Sequence, residues 1–93
     1  MSRMDTILDR MDTNPQALTE RISAEVKSAM SERGLSQREV SRKTGIPLNT
    51  LNARLQSGTT RPFTFGELAS VLDVLNLSLV EIAVRAERSA VAA

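Results

Sequence analysis

The chain has no cysteine, histidine, tryptophan or tyrosine, and its only aromatic side chains are Phe63 and Phe65. Without Cys and His there are no thiol nucleophiles, disulfides, imidazole bases or usual zinc ligands, so carboxylates alone remain for any metal. Scarce aromatics argue against a β-sandwich, whose strands draw on aromatic and β-branched residues. The hydrophobic 41% is carried by Leu, Ile, Val, Ala and Met, which favours packed helices. No apolar run approaches the roughly 20 residues that span a bilayer. The opening MSRMDTILDRMD has acids where a signal peptide would be apolar. These absences lead us to expect a soluble, cytoplasmic, all-α protein without membrane contact, cofactor or metal. Its 93 residues suit one domain.

The net charge of +1 conceals an uneven distribution. Residues 1–32 carry −2 and residues 62–93 carry −2, whereas residues 33–61 hold Arg33, Arg38, Arg42, Lys43, Arg54 and Arg61 against the single acid Glu39, a net +5. A positive centre between acidic ends suits a polyanionic partner, since neutralising phosphates supplies most sequence-independent affinity for DNA. Arg38, Arg42 and Lys43 are open to two readings, phosphate contact or a solvated helix face.

Three helix starts carry one signature, a Ser or Thr followed three residues later by Glu, with apolar residues at the flanking staple positions. Ser36 with Glu39 lies between Leu35 and Val40, Thr64 with Glu67 between Phe63 and Leu68, and Ser78 with Glu81 between Leu77 and Ile82. These glutamates are read as caps, so none is assigned a catalytic role. Ahead of them, Asn14 and Pro15 suit the start of a helix carrying Leu18, Ile22, Val26, Ala29 and Met30 inward up to Arg33, with Gly34 as a left-handed stop. A second helix is expected over Gln37–Thr44, ended by Gly45. A third starts at Pro47 and ends at Leu55 or Gln56 ahead of Gly58; a loop follows, SGTTRP. A fourth spans Phe65–Leu75 with Phe65, Leu68, Leu72 and Leu75 inward and Asn76 as its stop. A fifth follows Ser78 and frays past Arg88. The expected division is 1–13 as an arm or short amphipathic helix bearing Met4, Ile7, Leu8 and Met11, 14–88 as a compact five-helix domain, and 89–93 as a flexible tail.

Within that domain, residues 36–56 place two helices of about two turns on either side of a tight turn at Gly45, the spacing of a helix-turn-helix. Val40 and Leu51 can lock the pair at a steep angle, so that the second helix projects its N-terminal face outward. The candidates there are Asn49, Asn52 and Ala53, with Leu48 at the edge. Asn pairs with adenine through two hydrogen bonds, and Leu48 or Ala53 can meet a thymine methyl group.

The order Gly34-Leu35-Ser36-Gln37, Val40, Gly45-Ile46, Leu51, Gly58, Pro62, Glu67-Leu68-Ala69, Leu72 and Leu77-Ser78-Leu79 resembles the helix-turn-helix domain of phage repressors and Cro, the XRE family, over roughly Leu18–Val84. The resemblance implies that Gln37 binds a phosphate at the helix's amide end, that Pro47, Leu48, Asn49 and Ala53 face bases, and that Arg61 meets the backbone or minor groove. Thr50 and Arg54 join Arg38, Arg42 and Lys43 as phosphate candidates. The glycine after the third helix stands one residue later than in the family, behind Gln56 and Ser57.

The expected function is a sequence-specific DNA-binding transcriptional regulator, repressor or Cro-like and possibly phage-derived, that acts in a bacterial or phage-infected cell and lies on the nucleoid when bound. Its partner is double-stranded DNA, bound as a homodimer on a palindromic operator, with contacts from Leu79, Ile82, Ala83 and Ala86 or from Met4, Ile7, Leu8 and Met11, two surfaces that are equally open to a reading as core. Two alternatives share the fold: an antitoxin that offers its last helix or its termini to a protein partner, and a protein-interaction module without DNA binding. The +5 centre argues against the last. An enzyme is not expected, because no acid pair, metal cluster or glycine-rich phosphate loop stands out.

Overall fold

The computed structural model describes the backbone of residues 15–57 and 61–92 and the side chains of 17–57 and 61–88. Expectations on residues 1–13, Asn14 and Gly58 lie outside these. Among the described residues there are five helices and no strand: α1 (Pro15–Glu32), α2 (Gln37–Thr44), α3 (Leu48–Leu55), α4 (Phe65–Leu75) and α5 (Leu79–Ala92).

All three Ser/Thr-x-x-Glu starts close as reciprocal caps. The Glu39, Glu67 and Glu81 amides donate to the Ser36, Thr64 and Ser78 hydroxyls at 3.0–3.1 Å, and each glutamate accepts the amide of its cap residue at 3.0–3.1 Å. Two orphan donors are thus satisfied at each start. The stops are equally local. Gly34 (φ 66°) and Asn76 (φ 58°) are left-handed. Beyond them the Leu35 and Leu77 amides reach back to the Met30 and Leu72 carbonyls, both at 2.9 Å, in the six-residue closure of a Schellman motif.

Val26, Val40, Leu51, Val71, Leu75 and Ile82 are fully buried, so every helix contributes to one core. Within it α1 packs on α5, α3 and α4, and α2 packs on α3 and α4. Arg85 of α5 ties the α1–α5 pair from outside through Glu25 at 3.1 Å and Glu32 at 2.9 Å. Hydrogen bonds to Glu32 and then Glu25 raise the Arg85 pKa above its ordinary value.

Five expectations are corrected. Phe65 is 73% exposed and Leu18 is 39% exposed, while Val71 takes the core place on α4. Phe65 opens its helix, and Cβ bonds tilt towards a helix N-terminus, so its ring overhangs the end of the core; Leu18, in the first turn of α1, is placed in the same way. Pro47 stands one residue before α3 with ψ 143°, its carbonyl accepting the Leu51 amide at 2.9 Å. The last helix continues to Ala92, through the segment expected as tail, where Ala90 and Ala92 favour helix. Ile82 and Ala86, offered as dimer contacts, are fully buried in the monomer's own core.

Candidate nucleic-acid interface

The helix-turn-helix begins with its turn. Gly45 adopts φ 81° and its amide donates to the Ser41 carbonyl at 2.9 Å. A Cβ at Gly45 would meet nothing within 4 Å, so glycine is required by the backbone angle and not by crowding. Two hydroxyls then hold the turn. Thr44 Oγ1 donates to the Val40 carbonyl at 2.7 Å and accepts the Ile46 amide at 3.2 Å, and Ser41 Oγ donates to the Ile46 carbonyl. Ile46 is buried, and with Val40 and Leu51 it anchors the inner side of the motif. Sequence reasoning missed the two hydroxyls, because Ser and Thr inside a helix give no periodic signal.

With the inner faces fixed, the first turns of α2 and α3 meet outside in an open concavity lined by Gln37, Arg38, Leu48, Asn49 and Asn52. All five are sequence candidates. Arg38, Asn49 and Asn52 are exposed, Gln37 is half-buried, and Leu48 is 39% exposed, high for a leucine with core available beside it. Pro47 is exposed ahead of this face and has no side chain to cap α3, and the Thr50 amide donates to Asn49 Oδ1 at 2.9 Å. Among the described residues the Leu48 and Asn49 amides have no protein acceptor. Thr50 and Ala53 are half-buried and lie off the concavity.

Five of the six cations of the basic segment divide into two groups. Arg33 Nε donates to the Leu75 carbonyl at 2.7 Å, closing the end of α4. Arg54, a phosphate candidate, is instead held by Glu67: Nε to Oε1 is 2.9 Å, and Nη1 reaches the Arg61 carbonyl at 3.3 Å. The Arg54 hydrogen bond, followed by that from the Thr64 amide, lowers the Glu67 pKa. Glu67 thus serves as cap and counter-ion together. By contrast Arg38, Arg42 and Lys43 are exposed and form no ion pair with a described residue. Arg42 and Lys43 occupy the last turn of α2, where cations also complement the helix dipole. Glu39, the only acid of the segment, is kept charged by hydrogen bonds from the Ser36 amide and hydroxyl, and then by nearby Lys43 and Arg42. Arg61 is exposed.

No group of three or more acidic residues capable of holding a metal occurs among the described residues, and none of their helices is long and apolar enough to cross a membrane. Comparison with curated proteins and with solved structures returns no match. A family model, described as Cro/C1-type HTH DNA-binding domain, matches residues 25–86, two thirds of the chain and the whole of the motif and its supporting core. The chain therefore belongs to the family of Cro/C1-type helix-turn-helix DNA-binding domains.

Proposed function

We propose that this protein is a sequence-specific transcriptional regulator, repressor or Cro-like, which seats the N-terminal half of α3 in the major groove of an operator and represses by covering a promoter. The observation that carries this reading is the concavity between α2 and α3. It presents two exposed amides and an exposed leucine, with Arg38 at its wall and Arg42 and Lys43 further along α2. The cations suit phosphates and the amides suit base edges, the division of labour by which DNA-binding proteins set register and read sequence. Gln37, at the first position of α2, adds an uncharged donor for the backbone.

One such module offers few base contacts, so useful specificity calls for two copies on half-sites about 34 Å apart. With Ile82 and Ala86 in the core, an apolar surface that the described residues offer a second copy is the shallow groove lined by Phe65, Ala69, Leu72, Leu77 and Leu79 with Asp73, beside Val80 at 71% exposure. Contiguous apolar surface of this kind suits a protein contact. Its occupant on this reading is the same chain, and the site of action is the cytoplasm.

Titration of random-sequence duplex at two salt concentrations, followed by selection of preferred sites, tests the proposal. Salt-sensitive binding and a recovered symmetric motif are expected. Arg42→Ala should weaken specific and random binding alike and lower the salt slope by about one. No binding at low salt would overturn the regulator reading in favour of a protein-interaction role.

A further inference from the structure

The two asparagines on the exposed face of α3 differ in what they have left to offer. Asn49 Oδ1 accepts the Thr50 amide at 2.9 Å, so one acceptor position of that oxygen is already used within α3 while its NH2 group has no partner. Asn52 is exposed, lines the same concavity, and has no hydrogen-bond partner among the described residues, so donor and acceptor are both available. Adenine offers N6 as donor and N7 as acceptor in the major groove, and only a side chain with both functions free can satisfy the pair. A group that only donates finds acceptors on guanine, adenine and thymine alike.

Leu48 stands four residues before Asn52 on the same face, one helical turn or about 6 Å along the axis. That separation spans one to two base steps of about 3.4 Å. Its apolar side chain, 39% exposed at the wall of the concavity, suits the C5-methyl of thymine. The face has neither the cationic fork that reads guanine O6 and N7 nor a carboxylate for cytosine N4. The one cation lining the concavity, Arg38, belongs to α2, the helix that crosses the phosphate backbone in this docking geometry. Ala53 is half-buried and off the concavity, which leaves the methyl contact to Leu48.

We infer that the half-site beneath α3 has an A·T core, in which Asn52 reads an adenine through two hydrogen bonds and Leu48 packs on the methyl group of a thymine one or two steps away. This rests on the DNA-binding reading above and goes beyond it by assigning the base class and the reader. Asn49 becomes a general donor.

The experiment is site selection with the full chain, followed by binding of the recovered duplex and of a random duplex to three variants. Asn52→Ala should relax the adenine preference by about 5- to 150-fold, whereas Asn49→Ala should leave it within about threefold. Replacing the contacted thymine by deoxyuracil should weaken binding about fourfold, and that penalty should vanish in Leu48→Ala. These are exposed positions, and a circular dichroism spectrum verifies each variant's fold. A G·C core, or an adenine preference lost in Asn49→Ala and kept in Asn52→Ala, overturns the assignment while random-duplex binding persists. Loss of binding to every duplex by the unmodified chain would instead overturn the regulator reading.

Discussion

The fold contains the same joint twice, and the two copies differ at one place. Between α2 and α3 stand Gly45, Ile46 and Pro47; between α4 and α5 stand Asn76, Leu77 and Ser78. In each, the first residue is left-handed, the second turns an apolar side chain onto the core, and the third precedes the next helix. At α5 that third residue is a capping serine with Glu81 closing the box, so the Ser78 and Glu81 amides both find side-chain acceptors. At α3 it is Pro47, which has no amide and offers no side-chain cap, and the polar side chains of the concavity stand at that uncapped start. One joint is finished by a side-chain capping box and the other is not. A helix start without a side-chain cap, with Arg38 at its concavity, suits the arrival of a polyanion.

If this contrast holds, the two faces of α3 should respond oppositely to truncation. Leu51 is fully buried between the helices, and Leu51→Ala should destabilise the fold by about 2–5 kcal/mol. Asn52→Ala, one residue on, should stay within about 0.5 kcal/mol of the parent. Denaturant titration of both variants reads the difference, and a near-neutral Leu51→Ala would mean that α3 is not anchored by the core. The turn comes next. At Gly45 only the left-handed backbone opposes a side chain, so Gly45→Ala should destabilise by about 1–2 kcal/mol. A loss well above that would point to crowding the geometry does not contain. At the finished joint, Ser78→Ala should remove about 1 kcal/mol by opening the cap, with no change in DNA affinity beyond its effect on the folded fraction. A fall in affinity of the intact protein would tie α5 to the interface and break the contrast.

The caps, stops and helix phases were legible in the sequence because each depends on residues within five positions of one another. Ser36 and Glu39, or Gly34 and Leu35 with Met30, need nothing from the rest of the chain. The members of the concavity could be chosen in advance for the same reason: once the turn at Gly45 is recognised, helical period alone puts Leu48, Asn49 and Asn52 on one side of α3. What sequence did not convey was the fate of the cations. Arg33 finds a carbonyl 42 residues away, Arg54 a carboxylate 13 residues away, and Arg85 two carboxylates 53 and 60 residues away. A net charge of +5 over residues 33–61 counts all six cations equally, although packing turns two of them into structural ties. The exposure of Phe65 escaped for a related reason, since periodicity gives a residue its direction but not whether the core extends far enough to meet it.

The Arg54–Glu67 tie also supplies the smallest and most specific test. The Arg54 guanidinium, and after it the Thr64 amide, favours ionised Glu67, so its folded-state pKa lies below the ordinary 4.5. A carboxyl group whose pKa is depressed by folding adds stability that is fully present above its unfolded pKa and is lost as pH falls through the folded value. For a partly exposed pair that contribution is at most about 1 kcal/mol. Glu67→Gln removes the charge while keeping the side chain's length. Its stability should therefore lie below that of the parent at neutral pH, and the two should converge as pH drops below 4.5. Denaturant titrations at neutral pH and through the acid range would display that convergence; a gap independent of pH would mean that Glu67 acts only as a cap. Then Arg54 would keep its charge for a ligand, and the basic face would extend from α2 onto the end of α3.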